Sequence, residues 1–193
     1  MLNSKANAVD VLGAAVTKSN SSKEGIKGGG MFTVQCFDKE GVLKWEASKH
    51  NLVVNIGLQD MNTKYFSGSA YTAAWYIGLY GAGASNNPAA GDTMSSHAGW
   101  VEVTAYSQAT RPAATFGTAT TADPSVISNS ASVAVFTING TTTVGGAFLT
   151  SNSTKGGTTG TLFSASDFTA PGDRSVVNGD TLNILYSFSL DAA

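Results

Sequence analysis

Residues 92–103, "DTMSSHAGWVEV", bring Asp92, Ser95, Ser96 and His97 within six positions of a chain that has only two histidines. An acid, a hydroxyl nucleophile and an imidazole are the parts of a hydrolytic triad, in which the histidine takes the serine proton and the acid orients the histidine. The spacing speaks against that chemistry. Ser96 and His97 are neighbours, and in extended chain adjacent side chains point to opposite faces. Neither serine stands in the G-x-S-x-G elbow that exposes a nucleophile. The residue types suit a structural role instead: Asp92 and Thr93 closing an Asx or ST turn, His97 as a loop hydrogen-bonder, and Trp100 as an apolar anchor whose N–H needs a partner. Glu102 and Arg111, each nearly alone in its stretch, are expected to pair across neighbouring strands.

Other chemical patterns are equally weak. "TKGGTTGT" (154–161) places its lysine before the glycines, the reverse of a phosphate-binding loop, and no H-E-x-x-H is present. The carboxylates are scattered singly. The expectation is therefore no enzymatic activity, no cofactor and no metal. Cys36 stands alone in an apolar run, so it is expected to be a buried thiol with no disulfide or zinc partner.

Composition bounds the partners. Charged residues make up 12% of the 193, about half the usual share, and hydrophobic residues 42%. Such a weakly charged surface suits contact with partners or with copies of itself. Residues 1–65 carry eight lysines against six acids, and residues 66–193 carry three basic residues against seven acids. No window concentrates the Lys and Arg needed to replace phosphate counterions, so no nucleic acid is expected. With no run of ~18 apolar residues and no apolar block behind Lys5, neither a membrane span nor a secretory signal is expected. Synthesis in a cytoplasm follows as the expectation.

Two parts of the chain read differently. Residues 1–30 have no aromatic residue and combine an Ala/Val/Leu run (6–16), read as one weak helix, with Ser, Lys and a triple glycine; they read as a flexible arm hinged at Gly28, Gly29 and Gly30. Val11, Leu12, Val16, Lys18, Lys23 and Lys27 of this arm, with His97 and Trp100 of the 81–99 loop region and its exit, are the candidate partner contacts. Residues 31–193 read as one β-rich domain. Phe32, Val34 and Cys36 alternate, then Leu43, Trp45 and Ala47, which predicts a hairpin. Asn55 is expected to cap a helix over 56–66 with Leu58, Met61 and Tyr65 as its inward stripe. Trp75, Ile77 and Leu79 alternate against Tyr76 and Tyr80. "VEVTAYS", "AATFGT", "SASVAVFTI", "TTVGGAFLT", "GTLFSA" and "DTLNILYSFSL" follow as further strands, in the last of which Leu182, Ile184, Tyr186, Phe188 and Leu190 share a face. The fold class is mainly β, a two-sheet sandwich or jelly roll with one short helix.

The stretches "NLVVNIGLQDM" (51–61), "AAWYIGLYGAG" (73–83), "DTMSSHAGWVEVTAYS…RP" (92–112), "VGGAFLTSNSTKGGTTGTLFSASDF" (144–168) and "VVNGDTLNILYSFSL" (176–190) together resemble a family of tailed-bacteriophage virion proteins, encoded beside the major capsid protein. The His-Ala-Gly-Trp segment is the most distinctive piece, and residues 1–30 fall outside the match. The resemblance implies a structural role: a capsid cement or decoration protein on the outer shell, bound to the major capsid protein, commonly β-rich and often a homotrimer. A tail fibre or host-binding module, with Tyr71, Trp75 and Tyr76 stacking on glycan, is the alternative within the same particle.

Overall fold

The computed structural model describes residues 25–68, 71–81, 87–168 and 172–192. Its first sheet is built on two twelve-residue strands, β1 (Ile26–Phe37) and β11 (Thr181–Ala192), paired antiparallel from Ile26 opposite Ala192 to Phe37 opposite Thr181. The hairpin read at residues 31–47 is present: β2 (Leu43–His50) returns along the other side of β1. Its turn is set by Asp38, whose Oδ1 accepts the N–H groups of Glu40 (3.0 Å) and Val42 (2.8 Å). On the far side of β11 two short strands lie end to end, β6 (Ser125–Ser128) and β7 (Ala134–Thr137). Asn129 bridges the gap between them. Its Oδ1 accepts the Tyr186 N–H (2.7 Å) and its Nδ2 donates to the Ile184 carbonyl (3.2 Å), so a buried side chain supplies the missing ladder bonds.

The second sheet runs in the order β3 (Leu52–Val53), β9 (Leu162–Asp167), β8 (Thr142–Thr150), β4 (Tyr76–Gly81), β5 (Glu102–Val103), with β10 (Arg174–Val176) also on β8. Every pairing is antiparallel. The two sheets face each other as a sandwich. Phe32, Val34, Cys36, Leu182, Ile184 and Tyr186 of the first meet Ile77, Leu79, Val144, Leu149 and Phe163 of the second. The alternation read at Phe32, Val34 and Cys36 and at Leu182, Ile184 and Tyr186 gives the inward side correctly, because one slip of register would turn every one of these side chains to water. Leu43, expected inward at the start of β2, is exposed. Among the described residues no helix is long and apolar enough to cross a membrane.

Four expectations are corrected. The helix α1 (Asn55–Phe66) is where it was predicted, but Val54 takes the N-cap position with no side-chain bond, and of the expected stripe Leu58, Met61 and Tyr65 only Met61 packs against the core. Leu58 and Tyr65 are exposed. The buried face runs through Gly57, whose missing side chain lets the helix lie on β9: a Cβ there would stand 2.3 Å from the Phe163 carbonyl oxygen. Second, Gly28, Gly29 and Gly30 are no hinge; they are part of β1, which starts at Ile26, ahead of Met31. The Phe188 ring lies across Gly28, and the Tyr186 hydroxyl and Asn51 occupy the space above Gly30, where a Cβ would be 2.6 Å from that hydroxyl. Third, of "VEVTAYS" only Glu102 and Val103 form a strand, and "AATFGT" runs as irregular chain with one bridge, Ala113 to Tyr76. Fourth, β6 and β10 are strands that alternation did not reveal, being short and rich in Ser.

Candidate functional site

The outward face of the second sheet carries a second core, and residues 87–111 form its roof. It starts from two glycines. Gly78 of β4 stands opposite Phe148 of β8, and Tyr80 of β4 opposite Gly146 of β8. Each ring lies over the glycine across from it: a Cβ at Gly78 would be 2.1 Å from the Phe148 ring, and one at Gly146 2.1 Å from the Tyr80 ring and 2.3 Å from the Ser166 carbonyl oxygen. Flat rings over bare backbone leave a platform, and Trp100 lies on it, 5.1 Å from Tyr80 and 5.2 Å from Phe148 between centroids. Met94, Leu162, Ala165 and Val54 close the sides. Burial and the carboxylates of Asp167, Asp173 and Asp92 push the Tyr80 phenol far above its ordinary pKa.

The triad elements are spent on this roof. Asp92 Oδ2 accepts both the Trp100 Nε1–H (3.0 Å) and the Ala89 N–H (3.0 Å). Thr93 and Ser96 exchange backbone bonds (2.9 and 3.2 Å) around a tight turn that drives Met94 inward. The His97 ring stacks on Trp100 at 3.8 Å and 20°, and its Nδ1 lies 2.9 Å from the Trp100 carbonyl oxygen. A carbonyl accepts only, so Nδ1–H is the donor in this contact. Asp92 thus orients an indole, not the imidazole. Gly99, at φ 109°, supplies the left-handed residue that this tight return requires.

The expected Glu102 and Arg111 pair is present and buried. Arg111 grips Glu102 with two bonds, Nε to Oε1 (2.9 Å) and Nη2 to Oε2 (2.7 Å), and spends its other donors on the carbonyls of Asn152 (2.8 Å) and Gly157 (2.7 Å). Its guanidinium lies 5.3 Å from the Phe148 ring. Lys155 does the same work further along, donating to the carbonyls of Tyr106 (2.9 Å) and Gln108 (2.8 Å) over the Tyr106 ring. The glycine-rich 151–161 loop is thereby held by two cations, and its lysine is a brace. Arg111 is not on a strand, so the pairing expected across neighbouring strands joins β5 to irregular chain instead.

The candidate contacts separate accordingly. Trp100 is 3% exposed in the single chain, where its ring supports the roof from within. His97 is half-buried on top of it. What the roof presents outward is Ser95, Ser96, Ala98 and Val101, the last 77% exposed; that uncharged rim was not singled out from the sequence. Lys27 is exposed but belongs to β1, opposite Asp191, not to an arm. Val11, Leu12, Val16, Lys18 and Lys23 lie outside the described residues.

A second feature lies at one open edge of the sandwich. A cavity of about 460 Å³ enters between the sheets, walled by Met61, Tyr71, Trp75, Phe116, Ile127 and Phe188, with Asp60 and Lys64 at its mouth. Of the three aromatics considered for glycan stacking, Tyr71 and Trp75 meet here, whereas Tyr76 is not part of its wall. Phe116 and Ile127 carried no periodic signal in the sequence, since each sits in a short stretch of polar and small residues. No protein-family model, no curated protein and no solved structure matches this chain.

Proposed function

We propose that this chain is a structural protein of a tailed-phage virion, a cement or decoration protein that binds the major capsid protein on the outer shell and bridges capsomers, as a homotrimer and without catalysis. The observation that carries the reading is how the reactive residues are used. Asp92, His97, Glu102, Arg111 and Lys155 all brace the roof of the second core, and the rim above them is uncharged. A rigid, weakly charged face suits repeated packing at symmetric positions on a shell. Many modest contacts then add through avidity. The sequence resemblance over residues 51–190 supports the same class. Quantitative mass spectrometry of purified particles tests it: copy number comparable to the capsid protein is expected, and a handful of copies per particle overturns it.

The tail-module reading draws on Tyr71 and Trp75 standing together at the cavity. Its wall is almost wholly apolar, which suits sugar hydroxyls poorly. A glycan array with no signal removes that alternative.

A further inference from the structure

The cavity has an occupant available in the same chain. We propose that residues 9–16 of the N-terminal segment dock into it, each chain filling its own cavity, with Val9, Leu12 and Val16 as the inserted side chains. This goes beyond the shell role and does not depend on it.

The first observation is the character of the wall. Met61, Trp75, Phe116, Ile127 and Phe188 are all only partly buried, so a sizeable apolar surface inside the sandwich faces water. Aliphatic side chains fit such a wall; ions and sugars do not.

The second is where the segment leaves. In the β1 and β11 register Gly30 stands opposite Phe188, Gly28 opposite Leu190 and Ile26 opposite Ala192. All these positions share the inward face, because they alternate in phase with buried Phe32 and Tyr186. The inward face of the first sheet therefore continues past the cavity as an apolar ledge. On it Leu190 is 38% exposed and Ile26 75% exposed. The ledge ends where residue 25 begins.

The third is reach. Ile26 is four positions from Gly30, about 14 Å along the strand. Residues 17–25 can span about 30 Å when extended, twice what a return to the cavity needs. Residues 1–24 lie outside the described residues. Within them the apolar run at 6–16 offers Val9, Leu12 and Val16 at spacings of three and four, one face of a helix. Docking would cover both the cavity and the ledge.

The test uses the full chain. Gly13→Cys is combined with Gly117→Cys at the cavity mouth, where an added Cβ meets nothing closer than 3.8 Å. Native Cys36 is fully buried and does not compete. Oxidation is expected to give an internal disulfide in the monomer. Adding Leu12→Asp and Val16→Asp is expected to slow that bond about tenfold or more, since each removes a buried aliphatic side chain worth that factor. Moving the second cysteine to Glu40, in the turn at the other end of β1, is expected to slow it similarly. Equal rates with and without the two aspartates, or equal rates at 40 and 117, overturn the proposal. Disulfide-linked dimers in place of the internal product also overturn it, because the segment would then occupy another copy.

Discussion

β4 and β8 carry a core on each face, and the two are built by different means. Toward the first sheet, Ile77, Leu79, Val144 and Leu149 interdigitate with Phe32, Leu182 and Ile184, and shape and burial suffice. Toward the roof, two rings lie on two glycines, an indole lies on the rings, and irregular chain is pinned over them by charged groups. The inner core tolerates slack in its loops. The outer core cannot, because its cover has no ladder of its own and is held by individual hydrogen bonds. Asp92, Glu102, Arg111 and Lys155 supply those bonds.

The sharpest way to break this contrast is Arg111→Met. It leaves Glu102 buried without a partner and frees two carbonyls, and a loss of about 3–5 kcal/mol is expected in urea unfolding. Pairing it with Glu102→Met should restore part of that loss, since the orphaned charge is then gone. No loss in the single variant would mean that the roof does not depend on its ions.

Alkaline titration attacks both cores, the outer one through Tyr80 and the inner one through Cys36, Tyr106 and Tyr186. Burial, then the nearby Asp180 carboxylate, lifts the Cys36 thiol to about 11, and burial raises Tyr106 and Tyr186 well above the ordinary phenol value. Lys44 is raised by its hydrogen bond to Asp180. All are folded-state values above the unfolded ones. Their stabilisation is complete below pH 9 and is lost as the pH climbs through 11 and beyond. For Cys36 alone this is of the order of 2–3 kcal/mol. Melting temperature should fall steadily over that range, and Cys36→Ala should flatten the slope; a flat profile would contradict the packing around the thiol.

The glycines give a graded comparison within the outer core. Gly146→Ala meets both the Tyr80 ring and a carbonyl oxygen that cannot swing away, so it should cost more than Gly78→Ala, which meets only the Phe148 ring. About 2–3 against about 1–2 kcal/mol is expected from thermal melts. Gly29→Ala, with nothing within 4 Å, is the neutral control. The smallest effect is assigned to His97→Ala, which removes one stack and one hydrogen bond at a half-buried site, about 1 kcal/mol or less. A larger loss would make His97 a principal brace of the roof and not the weakest one.

The two faces also differ in how legible they are in the sequence. Alternation in residues 32–36 and 182–190 announced the inner face, since strict period two has one structural reading. The outer face hid behind its glycines. "YIGLY" and "VGGAFLT" read as strands with weak points, and only the pairing Gly78 with Phe148 and Tyr80 with Gly146 shows that each weak point is a seat for a ring. Gly57 misled in the same way, marking the buried side of α1 by having no side chain to count. The link between Glu102 and Arg111 was readable because two isolated opposite charges in a charge-poor chain have few other partners. The cavity was not, because its wall is drawn from seven separate stretches of chain.

The functional proposal meets its most direct test in electron cryomicroscopy of the particle that carries this chain. Sandwich-sized density repeated at symmetric positions on the outer shell, with the rim at Ser95, Ser96, Ala98 and Val101 against a capsomer or a second copy, is the predicted result. Density confined to the tail would contradict it.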